Sequence, residues 1–162
     1  MEEQPIATGR PSTPVGPTIE AQLHGALLGV MNVMREHLER CAAEHGLSSQ
    51  QAVSLFRLGL VDTISMRELA GELHCDPSNV TGIADRLEDR GLMSRDVRAE
   101  DRRVKLLSLT DAGRALRAEL GDQVNREVPG LSALGAADQR ELLRILLDVL
   151  DAAGAAPVHS GE

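Results

Sequence analysis

The sequence predicts a mostly α-helical domain that carries one small β-hairpin. Apolar residues recur at three- and four-residue steps over several segments, which is the spacing of amphipathic helices. Capping residues, glycines and prolines stand at the ends of these segments, where helices begin and end. Two short β-prone runs flank one charged stretch late in the chain, and this pattern predicts a hairpin. With 42% hydrophobic and 26% charged residues, the composition is typical of a globular protein.

The first predicted helix covers residues 18–45, with Thr18 as its N-cap and Gly46 just after its end. Its apolar stripe includes Leu23, Leu27 and Val30. A helix of about 28 residues is long for a small domain, where about 10–14 residues is usual. A long apolar stripe near a chain terminus therefore predicts packing against a partner subunit.

Two short helices follow. The first is predicted over residues 48–58, and a β-prone connector over residues 60–64 comes after it. Ser65 and Glu68 have capping-box spacing, in which each side chain bonds the backbone N–H of the other residue. The second short helix is therefore predicted to begin at Ser65, and its apolar pattern ends at about residue 73.

The next helix begins with Asp76 as its cap and Pro77 at its first position, where a proline loses no needed hydrogen bond. It is predicted to extend to Arg90. Strands are predicted over residues 92–97 and 104–109, and the charged residues between them form the tip of a two-stranded hairpin.

Two more helices are predicted after the hairpin. Thr110 or Asp111 caps the first, which extends to about residue 128, where a Pro-Gly pair breaks it. The last helix covers residues 136–153, and its apolar side includes Leu142, Leu146 and Val149.

This order of elements is that of a winged helix-turn-helix: two short helices joined by a tight turn and followed by a charged hairpin. N- and C-terminal helices flank it. A single domain is predicted over residues 18–153, with the winged helix at about 48–110 and the flanking helices at about 18–45 and 111–153.

The two ends of the chain differ from the middle. Residues 1–17 are rich in Pro and Gly and are interpreted as a disordered tail, and residues 154–162 as a flexible one. The sequence shows neither a secretory signal nor an apolar run of membrane-spanning length. Two cysteines do not make a disulfide framework, which favours a reducing, cytoplasmic setting.

The predicted helix that starts at Pro77 has two different faces. One face is apolar and is expected to join the core through Val80, Ile83, Ala84 and Leu87. The opposite face is small and polar and carries Ser78, Asn79, Thr81, Gly82, Asp85 and Arg86. Short donors and acceptors at a helix N-terminus suit base edges and phosphates in a major groove. An ordinary solvated helix face is the alternative.

The charge distribution leaves room for DNA binding. The formal net charge is −8, which taken alone argues against a nucleic-acid binder. From Arg95 to Lys105, however, five basic residues stand against three acidic ones. Arg103, at the hairpin tip, suits a minor groove because its negative potential attracts arginine. Asp101 can hold that guanidinium extended, and a solvated charged turn is the alternative.

Five segments together resemble the MarR family of bacterial transcriptional regulators: Asp76 to Thr81, Asp85 to Glu88, Arg90 to Leu92, Asp101 to Arg103 and Leu109 to Gly113. The resemblance covers about residues 18–153. It implies a homodimer in which the first helix and the last two helices, at about residues 18–45 and 111–153, intertwine as N- and C-terminal dimerisation helices. It also implies that the helix from Pro77 enters the major groove and that Arg103 reaches the minor groove. The usual target is a pseudo-palindromic operator, often bound by a repressor.

The helix faces and the resemblance together assign the site residues. Expected DNA-contacting side chains are those of Ser65, Arg67, Ser78, Asn79, Thr81, Arg86, Arg102 and Arg103, with Asp101 orienting Arg103. The expected dimerisation core contains Leu23, Leu27, Val30, Leu142, Leu146 and Val149. No catalytic residue, metal site or cofactor is predicted, because the sequence has no Walker-type phosphate loop and no Ser-His-Asp grouping in a recognisable context.

The signal that such a regulator senses stays open. One Phe and no Tyr or Trp make an aromatic pocket for the phenolic anions of many relatives hard to build, so a small-molecule effector is of unknown class. Cys75, beside the Asp76 cap, and Cys41 leave a thiol-redox regulator as one alternative. A dimeric ligand-binding module without DNA binding is another. His37, Cys41 and His45 share a helix face but span about 12 Å, too far for one metal ion.

Overall fold

A computed structural model describes residues 18–97, 105–126 and 128–155 of the chain. Its elements in chain order are α1 (Ile19–Glu44), α2 (Ser49–Leu58), β1 (Ile64–Ser65), α3 (Met66–Glu72), α4 (Pro77–Asp89), β2 (Met93–Val97), β3 (Lys105–Leu109), α5 (Asp111–Arg126), a short 3₁₀ helix (Leu131–Ala133) and α6 (Ala136–Ala152). The fold is mostly helical with a small antiparallel sheet, which is the predicted class. The short 3₁₀ helix was not predicted from the sequence.

Local capping chemistry sets most of the helix starts. The Thr18 hydroxyl accepts a hydrogen bond from the Ala21 N–H at 3.3 Å. Full capping boxes open α2 at Ser48 and α3 at Ser65, where the Ser65 N–H donates to Glu68 Oε2 at 2.8 Å. Asp76 occupies the N-cap of α4 but makes no side-chain capping bond. The predicted cap is therefore wrong in its chemistry, and the fixed φ of Pro77 is what favours the helix start there.

Removal of the α3 cap should cost about 1 kcal/mol of stability. In the wild type the N–H of Glu68 donates to the Ser65 hydroxyl at 3.2 Å, and Ser65→Ala removes this acceptor. Loss of such a cap typically destabilises a helix by about 1 kcal/mol. Thermal unfolding at fixed protein concentration measures the effect. Ser65→Thr keeps the hydroxyl and should unfold close to wild type, whereas equal losses in both variants would contradict a capping role.

The sheet has three strands in the order β1-β3-β2, not the two that the sequence predicts. Ile64 lies opposite Leu107, and Met93 lies opposite Leu109. Strand β1 has only two residues, which is too short to show a period of two in the sequence. Its pairing with β3 joins the root of the hairpin to the start of α3.

The core is almost purely aliphatic, as the composition predicts. It lies between the C-terminal end of α1, helices α2 to α5 and the sheet, and its fully buried side chains include Leu55, Leu58, Leu69, Leu87, Leu107 and Leu120. Phe56 is partly buried against this cluster. The only Phe of a chain without Tyr or Trp therefore serves core packing.

The junction between the sheet and α5 is unusually close. The Thr110 hydroxyl donates to the Gly91 carbonyl at 2.6 Å and accepts from the Gly113 N–H at 3.0 Å. The Thr110 N–H donates to the Leu92 carbonyl at 3.2 Å. A Cβ at Gly113 would overlap that same Leu92 oxygen. The close approach of α5 to Leu92, just before β2, therefore requires glycine at position 113.

Two helices expose apolar faces. Among the described residues, twelve of the fifteen exposed large apolar side chains lie on α1 and α6. No residue of α6 is buried, although its whole length is described. All six predicted dimerisation residues lie on these helices. Leu142 is half-buried, and the other five are exposed: Leu23, Leu27, Val30, Leu146 and Val149. No helix in the described part of the chain is long and apolar enough to cross a membrane.

Candidate nucleic-acid interface

Helix α4 presents its polar face to solvent. Its core side is buried as predicted, through Val80, Ile83, Ala84 and Leu87. The predicted contact residues Ser78, Asn79, Thr81 and Arg86 are all exposed. Burial of one face against the core leaves the other available to a groove, because α4 is amphipathic over its whole length.

A tight turn sets α4 against α3. The Cys75 N–H donates to the Ala70 carbonyl and the His74 N–H to the Gly71 carbonyl, both at 3.1 Å. His74 adopts a φ of 48°, in the left-handed region that non-glycine residues rarely occupy. These bonds close the turn of a helix-turn-helix. Ser65 and Arg67 lie at the start of α3, where Ser65 is half-buried and Arg67 is exposed.

Strands β2 and β3 form the base of the wing. Residues 98–104, for which the sequence predicts the hairpin tip, lie outside the described part of the chain, and so do Asp101, Arg102 and Arg103. Ser94 and Ser108 face each other across the two strands with their hydroxyl oxygens 2.9 Å apart.

Arg95 on β2 reaches across to α4. Its guanidinium lies 2.6 Å from Asp85 Oδ1 and 3.4 Å from Glu88 Oε2, and it donates to the Thr81 carbonyl at 3.4 Å. Only 18% of its side chain is exposed. Arg95 belongs to the basic stretch from Arg95 to Lys105, but the structure pairs it with carboxylates. It therefore adds little to a positive surface.

Arg90 ties the end of α4 to the turn between α1 and α2. Its two terminal nitrogens donate to the carbonyls of His45 and Gly46, each at 2.9 Å. These residues are more than 40 positions apart in sequence, so no local pattern signals the contact. The bonds fix the C-terminal end of α4 on the body of the domain.

The histidines considered for metal binding connect α1 to α5. The Nε2 of His37 donates to the Val124 carbonyl at 3.0 Å. His45 Nε2 lies 2.8 Å from Gln123 Oε1, and the Gln123 amide donates to Glu44 at 2.6 Å. Among the described residues, no group of three or more His, Cys, Asp or Glu side chains is placed to hold a metal ion. These two histidines therefore have hydrogen-bond partners that suit a structural role.

The two thiols differ in environment. Cys41 is buried, with its Sγ 3.9 Å from the His37 ring. Burial raises the pKa of this thiol, and the nearby Glu44 carboxylate raises it further. A raised pKa disfavours the thiolate, the reactive form. Cys75 is half-buried at the turn before α4. Of the two thiols, Cys75 is therefore the better candidate for oxidation.

An open groove of about 820 Å³ separates the end of α5 from α6. Its lining is mainly apolar and includes Val128, Pro129, Leu131, Leu142, Leu143 and Leu146. It continues the exposed apolar face of α6, so the groove and that face form one surface.

Together, the turn between α3 and α4, the outward polar face of α4 and the wing beside it define a winged helix-turn-helix protein. A family model described as the MarR family matches residues 47–105, from just before α2 to the start of β3. The HTH-type transcriptional regulator YdgJ of Bacillus subtilis is 32% identical over 131 residues, which are 81% of this chain and 76% of YdgJ. The chain belongs to the MarR family and is a DNA-binding transcriptional regulator, not an enzyme.

Further relatives agree with this assignment. The HTH-type transcriptional repressor MdtR of Bacillus subtilis is 34% identical over 95 residues, 59% of each chain. Wild-type MarR from E. coli has the same fold, with a TM-score of 0.75 at 23% identity over 79% of this chain and 96% of MarR. A MarR mutant complexed with operator DNA gives a TM-score of 0.63 at 23% identity over 79% of this chain and 93% of that one.

Proposed function

We propose that the chain is a homodimeric repressor that binds a pseudo-palindromic operator and is released by a signal whose nature, a ligand, oxidation or a metal, stays open. The observation that carries the proposal is that the same chain exposes two surfaces of different character. One is the polar face of α4, and the other is the apolar face of α1 and α6. The first suits DNA, and the second suits a copy of the same chain.

The apolar face supports the dimer. Soluble monomers rarely expose contiguous apolar patches above a few hundred Å². Here exposed apolar residues recur along α1 from Ile19 to Val33 and along α6 from Leu143 to Val149. A two-fold dimer pairs the same patch on both subunits, which removes such a surface from water in both at once.

Two copies of α4 support a palindromic target. In a symmetric dimer the recognition helices repeat about one DNA turn apart, roughly 34 Å, and read inverted half-sites. We assign Ser78, Asn79, Thr81 and Arg86 to the major groove and its phosphates. Ser65 and Arg67 are assigned to the DNA backbone. MdtR is described as a repressor, which supports repression, and the MarR mutant was crystallised with operator DNA, which supports an operator as the target.

The wing arginine provides the direct test of operator binding. We expect Arg103→Ala to weaken binding to the chain's own upstream region at least fivefold, because one specific arginine contact is worth about 1–3 kcal/mol. Fluorescence anisotropy with a labelled fragment, at two salt concentrations, measures the affinity. Arg102 is assigned to phosphates, so its replacement should instead weaken binding to all DNA sequences alike.

Arg35→Ala is the matched control for Arg103→Ala. It removes the same charge from an exposed pair with Glu39 on α1, away from the wing. It should leave the affinity unchanged. Equal affinities of wild type and Arg103→Ala would show that the wing assignment is wrong. Equal binding of wild type to the upstream fragment and to random DNA would count against an operator there.

A further inference from the structure

We propose that Arg95 is a positioning residue for DNA binding, which masks the carboxylates of Asp85 and Glu88 from the DNA backbone. The proposal deepens the proposed function, because it concerns the same face of α4. It gives a role to an arginine that lies beside the DNA-binding surface but points into an ion-pair cluster.

The geometry of Arg95 places it along one stripe of α4. Its three partners, Thr81, Asp85 and Glu88, are spaced i, i+4 and i+7, so they lie on one side of the helix. The guanidinium spans this stripe from β2. The bond to the Thr81 carbonyl also ties the wing to the first half of the helix, whose exposed side chains are assigned to DNA.

The charges on α4 explain why masking is needed. Asp85 and Glu88 have side chains that are 51% and 43% exposed, and Thr81 on the same stripe is assigned to the groove. Two uncompensated carboxylates there would repel the phosphates of the DNA backbone. Attraction to these phosphates supplies most of the non-specific binding energy. One guanidinium between the two carboxylates cancels half of their charge and orients both towards β2.

A direct DNA contact by Arg95 is the competing interpretation, and its geometry argues against it. One terminal nitrogen is 2.6 Å from Asp85, and only 18% of the side chain is exposed. A phosphate ligand needs an exposed guanidinium whose donors are not already held in ion pairs. Arg95 therefore acts through the helix rather than on the DNA.

The experiment compares charge-neutralised variants by anisotropy on the upstream fragment and on a random duplex at about 50 mM salt, where non-specific binding is strong. Arg95→Gln should bind about tenfold more weakly to both, which corresponds to about 1.4 kcal/mol. Combining it with Asp85→Asn and Glu88→Gln should restore affinity to within about threefold of wild type, because the repelling charges are gone. The defect of Arg95→Gln should shrink as salt rises, since salt screens repulsion.

Arg144→Gln is the matched control. Arg144 also bridges two carboxylates, Glu141 and Asp148, each at 2.7 Å, but on α6. Arg144→Gln leaves two carboxylates unpaired, as Arg95→Gln does, but away from α4. It should leave the affinity for DNA unchanged. Thermal unfolding of every variant separates a loss of folding from a loss of binding.

The outcomes decide the proposal. If the triple variant binds as weakly as Arg95→Gln, then Arg95 either contacts DNA or only supports the fold, and masking is wrong. If Arg95→Gln fails to fold, the double variant Asp85→Asn with Glu88→Gln decides. Arg95 cancels only half of the negative charge, so removal of both carboxylates should give tighter DNA binding than wild type. Unchanged binding would overturn the proposal. The random duplex keeps this test independent of the operator, whose absence would appear as no preference of wild type for the upstream fragment.

Discussion

Gly113→Ala should destabilise the folded protein by about 2 kcal/mol or more, because an alanine methyl group has no room there. The Cβ would overlap the Leu92 carbonyl oxygen and come within 3.3 Å of Leu109 Cδ2. Backbone cannot move aside as a flexible side chain can, so α5 and the segment at Leu92 must separate, and such overpacking costs about 1–3 kcal/mol or more. The Thr110 bond to Leu92 at this junction would weaken as well.

Thermal unfolding at fixed protein concentration measures this loss, which we expect to lower Tm by roughly 5–10 °C. Gly121→Ala is the matched control on the same helix. There the added Cβ would meet only Phe56 at 3.6 Å, an ordinary contact distance. Alanine favours a helix by up to about 1 kcal/mol over glycine, so the control should be neutral or stabilising. A Gly113→Ala protein as stable as Gly121→Ala would show that the junction is looser than the structure has it.

Leu146→Glu should convert the proposed dimer into monomers and weaken operator binding by about 100-fold or more. Leu146 is 38% exposed in the single chain, on the face of α6 that borders the groove. In a dimer a glutamate there would bury a charge without a partner, which is strongly unfavourable. A monomer holds only one half-site, and linked binding of two sites is typically worth 10²–10⁴ in affinity.

Size-exclusion chromatography with light scattering, followed by anisotropy, tests both parts of this prediction. Leu60→Glu is the matched control, since Leu60 is similarly exposed, at 44%, but lies between α2 and β1 rather than on α1 or α6. The control should remain dimeric and bind DNA as wild type does. A dimeric Leu146→Glu protein would remove α6 from the interface, and a monomer with wild-type affinity would contradict the need for two half-sites.

Helix boundaries were readable from the sequence because the chemistry that sets them is local. The capping boxes at Ser48 and Ser65 join residues three positions apart. The apolar spacing within α4 likewise identified its buried side correctly. One local prediction failed, because Asp76 makes no capping bond. Strand β1 was not predicted, because its two residues are too few to produce a pattern.

Periodicity and capping act within a few residues, so the fold class, the order of the helices and the polar face of α4 could be predicted from the sequence. Which charged and polar side chains form bonds within the fold could be seen only in the three-dimensional structure. Arg95 pairs with α4, Arg90 bonds a turn 44 residues away, and His37 bonds a carbonyl 87 residues away. The need for glycine at position 113 is likewise visible only in the structure. Each of these contacts depends on how closely two segments that are distant in sequence approach each other. The packing of the shared core sets that separation.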